Sequence, residues 1–209
     1  AILIGMACSF SNHVLFVLPI SYFIFDPITT LPIRGAIAID CVSLTLSKIW
    51  LDVVDSSQNG KSFKLLTHFK NPLIISLLIC SPFVLGIINS PVIFMRLADF
   101  IALSAAPLAL FASGILLSEK VSLAGLKIAF FITCAKTIIY PLVSFFILLK
   151  LMNYPFDSAR TILMVAAAPV GLMPMTFASK YGVETSSIAL AMLWTFFISL
   201  ILIPIIATV

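Results

Sequence analysis

The length of the apolar runs constrains this chain more than any other feature. There are seven, at approximately 1–25, 35–54, 71–90, 93–117, 123–150, 160–180 and 184–207. Each matches the roughly 20 residues an α-helix needs to cross a bilayer. Lipid offers no partner for a backbone N–H or C=O, so runs of this kind must fold as helices. Composition points the same way: the chain is 62% hydrophobic and 10% charged, with a mean hydropathy of +1.23. A soluble domain is nearer half apolar and about a quarter charged. The expected fold is all-α, a polytopic transmembrane helix bundle. Between the runs lie Asp26-Pro27 and Pro32, then "DSSQNGKSFK" (55–64), "NSP" (89–91), "SEK" (118–120) and "NYPFD" (153–157). The longest polar stretch, 55–70, is the expected joint between two halves.

Several functions are excluded by what the chain lacks. Its net charge of +4 is spread over short loops, which leaves no basic stripe for a nucleic acid. Cys8, Cys41, Cys80 and Cys134 all sit in apolar runs without CxxC or Cys/His spacing, so they read as packing residues. No metal site and no cofactor is expected. If the 55–70 loop faces the cytoplasm, the inside carries Lys48, Lys61, Lys64, Lys70, Lys120, Lys127 and Lys180. The outside then carries Arg34, Arg96, Lys150 and Arg160, a bias of seven to four. The chain enters an apolar span at once from Ala1, with no cleavage signature. That headless start predicts further spans upstream.

Two spans contain their own breakers. "FVLPISYFIFD" (16–26) and "AAAPVGLMPMTFASKYG" (166–182) each place a proline after a short apolar half-span. A proline inside a helix costs about 3 kcal/mol, because it lacks the amide donor and clashes with the preceding turn. Each is followed by an apolar span, opening "IAID" (37–40) or "IALA" (188–191), at 18 residues from Pro19 and 19 from Pro169. The two broken spans lie five apart in the order of spans, an odd number, so they run in opposite senses. This pattern predicts an inverted-topology repeat whose interrupted segments mark a transporter's binding site. A pair of ordinary proline kinks is the plainer alternative.

These segments resemble the auxin efflux carrier (AEC) family, which includes bacterial malonate and malate permeases. "SNHVLFVLPI" (11–20) is similar to the family's Asn-Thr-Gly-Phe-x-Gly-x-Pro signature, with Asn12 and Pro19 at its spacing. "APLALFASGILLS" (106–118) resembles its Pro-Leu-Ala-Leu-Phe-x-x-Gly segment, and "KTIIYPL" (136–142) its Lys-x-x-x-x-Pro span. "AAPVGLMPMTFASKYGVE" (167–184) resembles its second crossing segment. The resemblance implies ten spans in two inverted five-span repeats, the fourth and ninth broken and crossing at the substrate. The seven spans here would be the fourth to tenth. Residues 1–54 then close the N-terminal repeat, 55–70 is a cytoplasmic connecting loop, and 71–209 is the C-terminal repeat. His13, Val14 and Val17 depart from the first signature, and Met173 stands where the second often carries Asn. These departures point toward the malonate and malate permeases, hence to a bacterial cytoplasmic membrane.

The implied substrate is a small organic anion, and malonate or malate are the implied dicarboxylates. A half-helix that starts at a crossing presents unpaired amides and about half a positive charge, which suits a carboxylate. The candidate substrate residues are Asn12, Pro19, Ser113, Gly114, Lys136, Pro169, Met173 and Pro174. Asn12 can donate two hydrogen bonds to a carboxylate, or it can tie freed backbone to a neighbouring helix. Lys136 is the basic residue deepest in a span, and an interior charge must face protein or a cavity. It can draw in an anion or pair with a carboxylate such as Asp40, itself the candidate for a coupling proton or sodium ion. A homodimer is compatible with the sequence, and the bilayer is the remaining partner. Among rival classes, an intramembrane serine protease would need a base after "FASG" (111–114), yet His13 and His68 precede it. A seven-helix receptor fits the span count but gives no reason for the paired proline breaks.

Overall fold

A computed structural model describes residues 2–26, 28–58, 72–84, 86–118 and 125–208. The described residues are helical, with no strand among them. In chain order the helices are α1 (Ile2–Ser9), α2 (Leu18–Ile24), α3 (Leu31–Gln58), α4 (Pro72–Val84) and α5 (Val92–Ser118). They continue with α6 (Leu126–Cys134), α7 (Tyr140–Phe145), α8 (Phe156–Ala166), α9 (Met173–Lys180) and α10 (Ser186–Thr208). Among the described residues, three π-helical stretches interleave with them: π1 (His13–Val17), π2 (Ala135–Ile139) and π3 (Phe146–Leu151). Residues 126–151 form one continuous rod of 26 residues, and this rod and the 23-residue α10 are long and apolar enough to cross a membrane. Among the described residues, the third apolar run is helical over Pro72–Val84. Most of the expected connecting loop, from 59 onward, lies outside the described residues, while α3 runs on through 55–58.

The chain divides into two compact units. The first combines residues 1–37 with 109–209, and the second is 38–108. In the second, Phe83 stacks on Phe94 with centroids 6.2 Å apart, and Lys48 bonds Asp52 one helical turn on at 2.8 Å.

The first unit packs through small residues. Ala129, Ala159, Ala167, Ala168 and Ala191 are completely or almost completely buried, which lets helix axes approach closely where burial of apolar surface gives little gain over lipid. Gly125, at the head of α6, is the tightest such approach: a Cβ there would lie 1.9 Å from Ser187 Oγ at the head of α10. The two heads therefore lie side by side, and α6 packs along α10. A core of Phe16, Val17, Ile33, Met164, Val165 and Ile203 joins π1 to α8 and α10, with Phe16 edge-on to Phe196 at 5.2 Å.

Prolines act differently at different places. Pro19 does not break its span. It lies in the first turn of α2, and the opening of the chain falls earlier, at Phe10–Asn12, where there is no proline. The reason is π1, whose wider turn bonds Leu18 N–H to His13 O and so moves the ladder away from the missing amide and the bulky ring. Pro141 has the same arrangement: π2 precedes it, with Tyr140 N–H bonded to Ala135 O. Pro169 does sit in an opening, Ala167–Leu172, and Pro174 follows in the first turn of α9, where its missing donor costs nothing.

Candidate functional site

The two openings meet. Ser11 and Val170 form an isolated antiparallel bridge. Asn12 N–H donates to Pro169 O at 2.8 Å, and Gly171 N–H donates to Phe10 O at 3.0 Å. Each unwound segment thus satisfies part of the other's backbone, which a membrane interior demands. Gly171 faces the first segment, and a Cβ there would stand 3.5 Å from Phe10 O, an ordinary van der Waals contact. The crossing joins four helix ends: α1 and α8 arrive with their C-termini, and the π1–α2 helix and α9 depart with their N-termini.

Side chains from two further helices complete it. Lys136 is fully buried, the eleventh of the 26 residues in the 126–151 rod, so it sits near that helix's midpoint. Its Nζ donates to Ser9 O at 3.3 Å and to Ser11 Oγ, and it lies 4.1 Å from the Tyr140 ring centroid. A full positive charge therefore rests on the C-terminal, negative end of α1. From α10 come Ser199 and Thr195, one turn apart. Ser199 Oγ donates to Ala167 O at 2.7 Å, the last carbonyls of α8 being otherwise short of donors. Thr195 Oγ accepts from Val170 N–H at 3.1 Å and itself donates back to Ala191 O at 2.7 Å. Both negative helix ends are thus supplied with donors, while the first-turn amides of π1 and α9 point into the crossing from the other side.

The candidates from sequence fall into three groups. Asn12, Pro169 and Lys136 come together at the crossing, and Met173 and Pro174 open α9 beside it. Asn12 holds the second break through its backbone, while its half-buried side-chain amide makes no hydrogen bond within the described residues. Met173 is 38% exposed and Pro174 is buried. Pro19 sits within α2, outside the unwound segment. Ser113 and Gly114 lie on α5, and Asp40 lies on α3 in the other unit.

Ser11, Thr195 and Ser199 were not singled out from sequence, and His13 only as a departure from the first signature, though all four are buried at or beside the crossing. A faint signal existed: Thr195 and Ser199 stand at i and i+4, one face of an otherwise apolar span. Among the described residues no cluster of His, Cys, Asp or Glu could hold a metal ion.

Residues 53–207 match the model of a family described as membrane transport protein. That segment contains Lys136, the second break and both capping hydroxyls, and the first break lies upstream of it. No curated protein matches the chain.

Proposed function

This chain belongs to the membrane transport protein family, and on that premise we propose that it is a secondary transporter of a small organic anion, working by alternating access about the crossed breaks. It is an integral membrane protein, as its family and its apolar helices require. One observation carries the reading further: two unwound segments bond to each other backbone to backbone, with a buried ammonium on one of them. Discontinuous helices that meet near the bilayer midplane are where secondary transporters hold substrate.

The sign of the substrate follows from the helix ends. Lys136 answers the negative end of α1 and Ser199 that of α8. The positive ends of π1 and α9 remain to attract a carboxylate. Asn12 is the proposed direct contact, since its side-chain amide is uncommitted, with Met173 lining the approach and Pro174 buried behind it at the head of α9. The dicarboxylates malonate and malate are proposed from the resemblance to the permeases, and Asp40 as the site of a coupling proton or sodium ion. The antiparallel bridge supports the inverted repeat, with residues 1–54 as the end of one half and 71–209 as the other.

The test is uptake of labelled malonate, malate and indole acetate by the full-length protein in liposomes. Saturable uptake of a carboxylate, reduced in Asn12→Ala and Lys136→Ala, is expected. Transport of cations or neutral solutes without response to carboxylates would refute the anion site.

A further inference from the structure

Behind the crossing, an apolar groove of about 390 Å³ lies among π2, α7, α8 and α10. It starts at Phe156 in the first turn of α8 and ends at Thr137 and Ala167, beside the crossing. The eleven helical steps from Phe156 to Ala167 rise about 16 Å at 1.5 Å each. That is half of a hydrocarbon core of about 30 Å, so the groove is one leaflet deep. Its wall opens outward, with Leu142 61% and Ile205 51% exposed.

An ion pair stands beside Phe156, at that end of the groove. Arg160 Nη2 donates to Asp157 Oδ1 at 2.8 Å, and the guanidinium lies over the Phe156 ring, 5.6 Å from its centroid. Arg160 Nε is buried without a hydrogen bond, the Arg160 side chain as a whole is 21% exposed, and the Asp157 side chain is 89% exposed. The pair is neutral overall, yet it presents spare donors and spare acceptors side by side.

We propose that this groove is a phospholipid site: one acyl chain fills it, the lipid phosphate binds Arg160, and a free ammonium in the headgroup binds Asp157. Lipid tails are as apolar as the groove wall, so burying a chain gives little selectivity by itself. Selectivity comes from the head. A phosphate with a primary ammonium matches the Arg160–Asp157 pair in both signs. A phosphoglycerol head sets its lone negative charge near the Asp157 carboxylate, and a choline head has no N–H to donate to it. The tail ends against Ala167, whose carbonyl is held by Ser199, and against Thr137, the neighbour of Lys136. A bound lipid therefore packs against the back of the crossing. The assignment is independent of which solute the protein carries.

The test is native mass spectrometry of the purified full-length protein given phosphatidylethanolamine, phosphatidylglycerol and phosphatidylcholine with identical chains in equal amounts. The expected result is retention of one phosphatidylethanolamine, about tenfold over either competitor, the size a charge-assisted hydrogen bond supplies. Asp157→Asn should abolish that preference, and Arg160→Gln should lower retention of all three lipids. Leu142→Trp, made at an exposed position, should lower retention by filling the groove. Equal retention of the three headgroups by the wild type overturns the assignment. So does unchanged phosphatidylethanolamine retention in either Asp157→Asn or Leu142→Trp.

Discussion

The first break, Phe10–Asn12, is held by a cation, and the second, Ala167–Leu172, by two hydroxyls. Both problems are the same in kind: helix-end carbonyls and amides stranded where no water reaches them. The solutions differ in charge. A hydroxyl supplies a hydrogen bond and leaves the local field nearly unchanged. An ammonium supplies a hydrogen bond and a whole positive charge against the roughly half charge of a helix end. On the proposed reading, the ammonium at the first break adds to the positive helix ends that attract the anion, while the hydroxyls at the second hold the geometry. The 126–151 rod, which carries Lys136, and α10, which carries the hydroxyls, meet at their heads, where Gly125 stands against Ser187.

The largest effect should come from disturbing both breaks at once. Gly125→Val forces atoms into Ser187, whose Oγ, Cβ and Cα lie 1.9, 2.8 and 3.0 Å from where a new Cβ would stand. The expected loss is about 3 kcal/mol of stability, read as a lower melting temperature in detergent, with transport lost in parallel. Ser187→Gly removes two of those three atoms and should restore part of both. If Gly125→Val alters only one of the two breaks, as read by the reactivity of cysteines placed at positions 12 and 171, the shared lock is wrong.

Next in size is Lys136→Met, which should separate function from stability at the first break. A buried charge costs about 2.5–3.5 kcal/mol to insert, and removing it relieves that cost. Against this, Ser9 O loses a donor, which costs about 1–3 kcal/mol. The terms oppose, so the melting temperature should move little. Transport should not be spared: losing a charge-assisted contribution of about 1.5–3 kcal/mol raises KM for a carboxylate roughly 10- to 150-fold. A large drop in melting temperature with an unchanged KM would make Lys136 a strut alone.

The same two regions show how much of the molecule could be read from its letters. The helical class followed from apolar run length, and the second break from Pro169 and Pro174, because proline's missing amide leaves a mark in the sequence. The first break left no such mark. It opens at a Ser–Asn pair, while the conspicuous Pro19 is absorbed by the π-helical turn ahead of it. Whether a proline breaks a helix or widens the turn before it depends on what can satisfy the freed carbonyls, and that is a tertiary matter. Lys136 was legible because a charge deep in a span has to be explained. Thr195 and Ser199 were not, because a hydroxyl in an apolar helix can always bond the carbonyl one turn back, as Thr195 also does. Their reach to Ala167 and Val170 exists only once α10 lies against the second break.

Those hydroxyls give the next prediction. Thr195→Val keeps the shape of the side chain but leaves Val170 N–H without its acceptor, at about 1–2 kcal/mol. Ser199→Ala deprives Ala167 O of its donor at a similar cost. Both variants should melt earlier while KM for the transported anion stays within about twofold, since neither changes the charge at the crossing. A KM shift as large as that of Lys136→Met would erase the division of labour between the breaks.

The smallest effect on stability, and the sharpest on the comparison, belongs to Asn12→Ala. Asn12 sits on the first break, and its backbone does the structural work, donating to Pro169 O and accepting from Phe16 N–H. Alanine keeps that backbone. The side-chain amide has no partner within the described residues, so its removal should cost under about 0.5 kcal/mol, as for a substitution that breaks no contact. If the amide meets the substrate, one ordinary hydrogen bond of about 0.5–1.5 kcal/mol is lost, and KM rises roughly 2- to 13-fold. Asn12→Asp adds a negative charge beside the ammonium and should raise KM further, because a carboxylate there repels the anion and pairs with Lys136. Equal KM values in wild type, Asn12→Ala and Asn12→Asp would place the anion elsewhere. A melting temperature lowered by both would show that the side chain braces the break, as the hydroxyls of α10 brace the other.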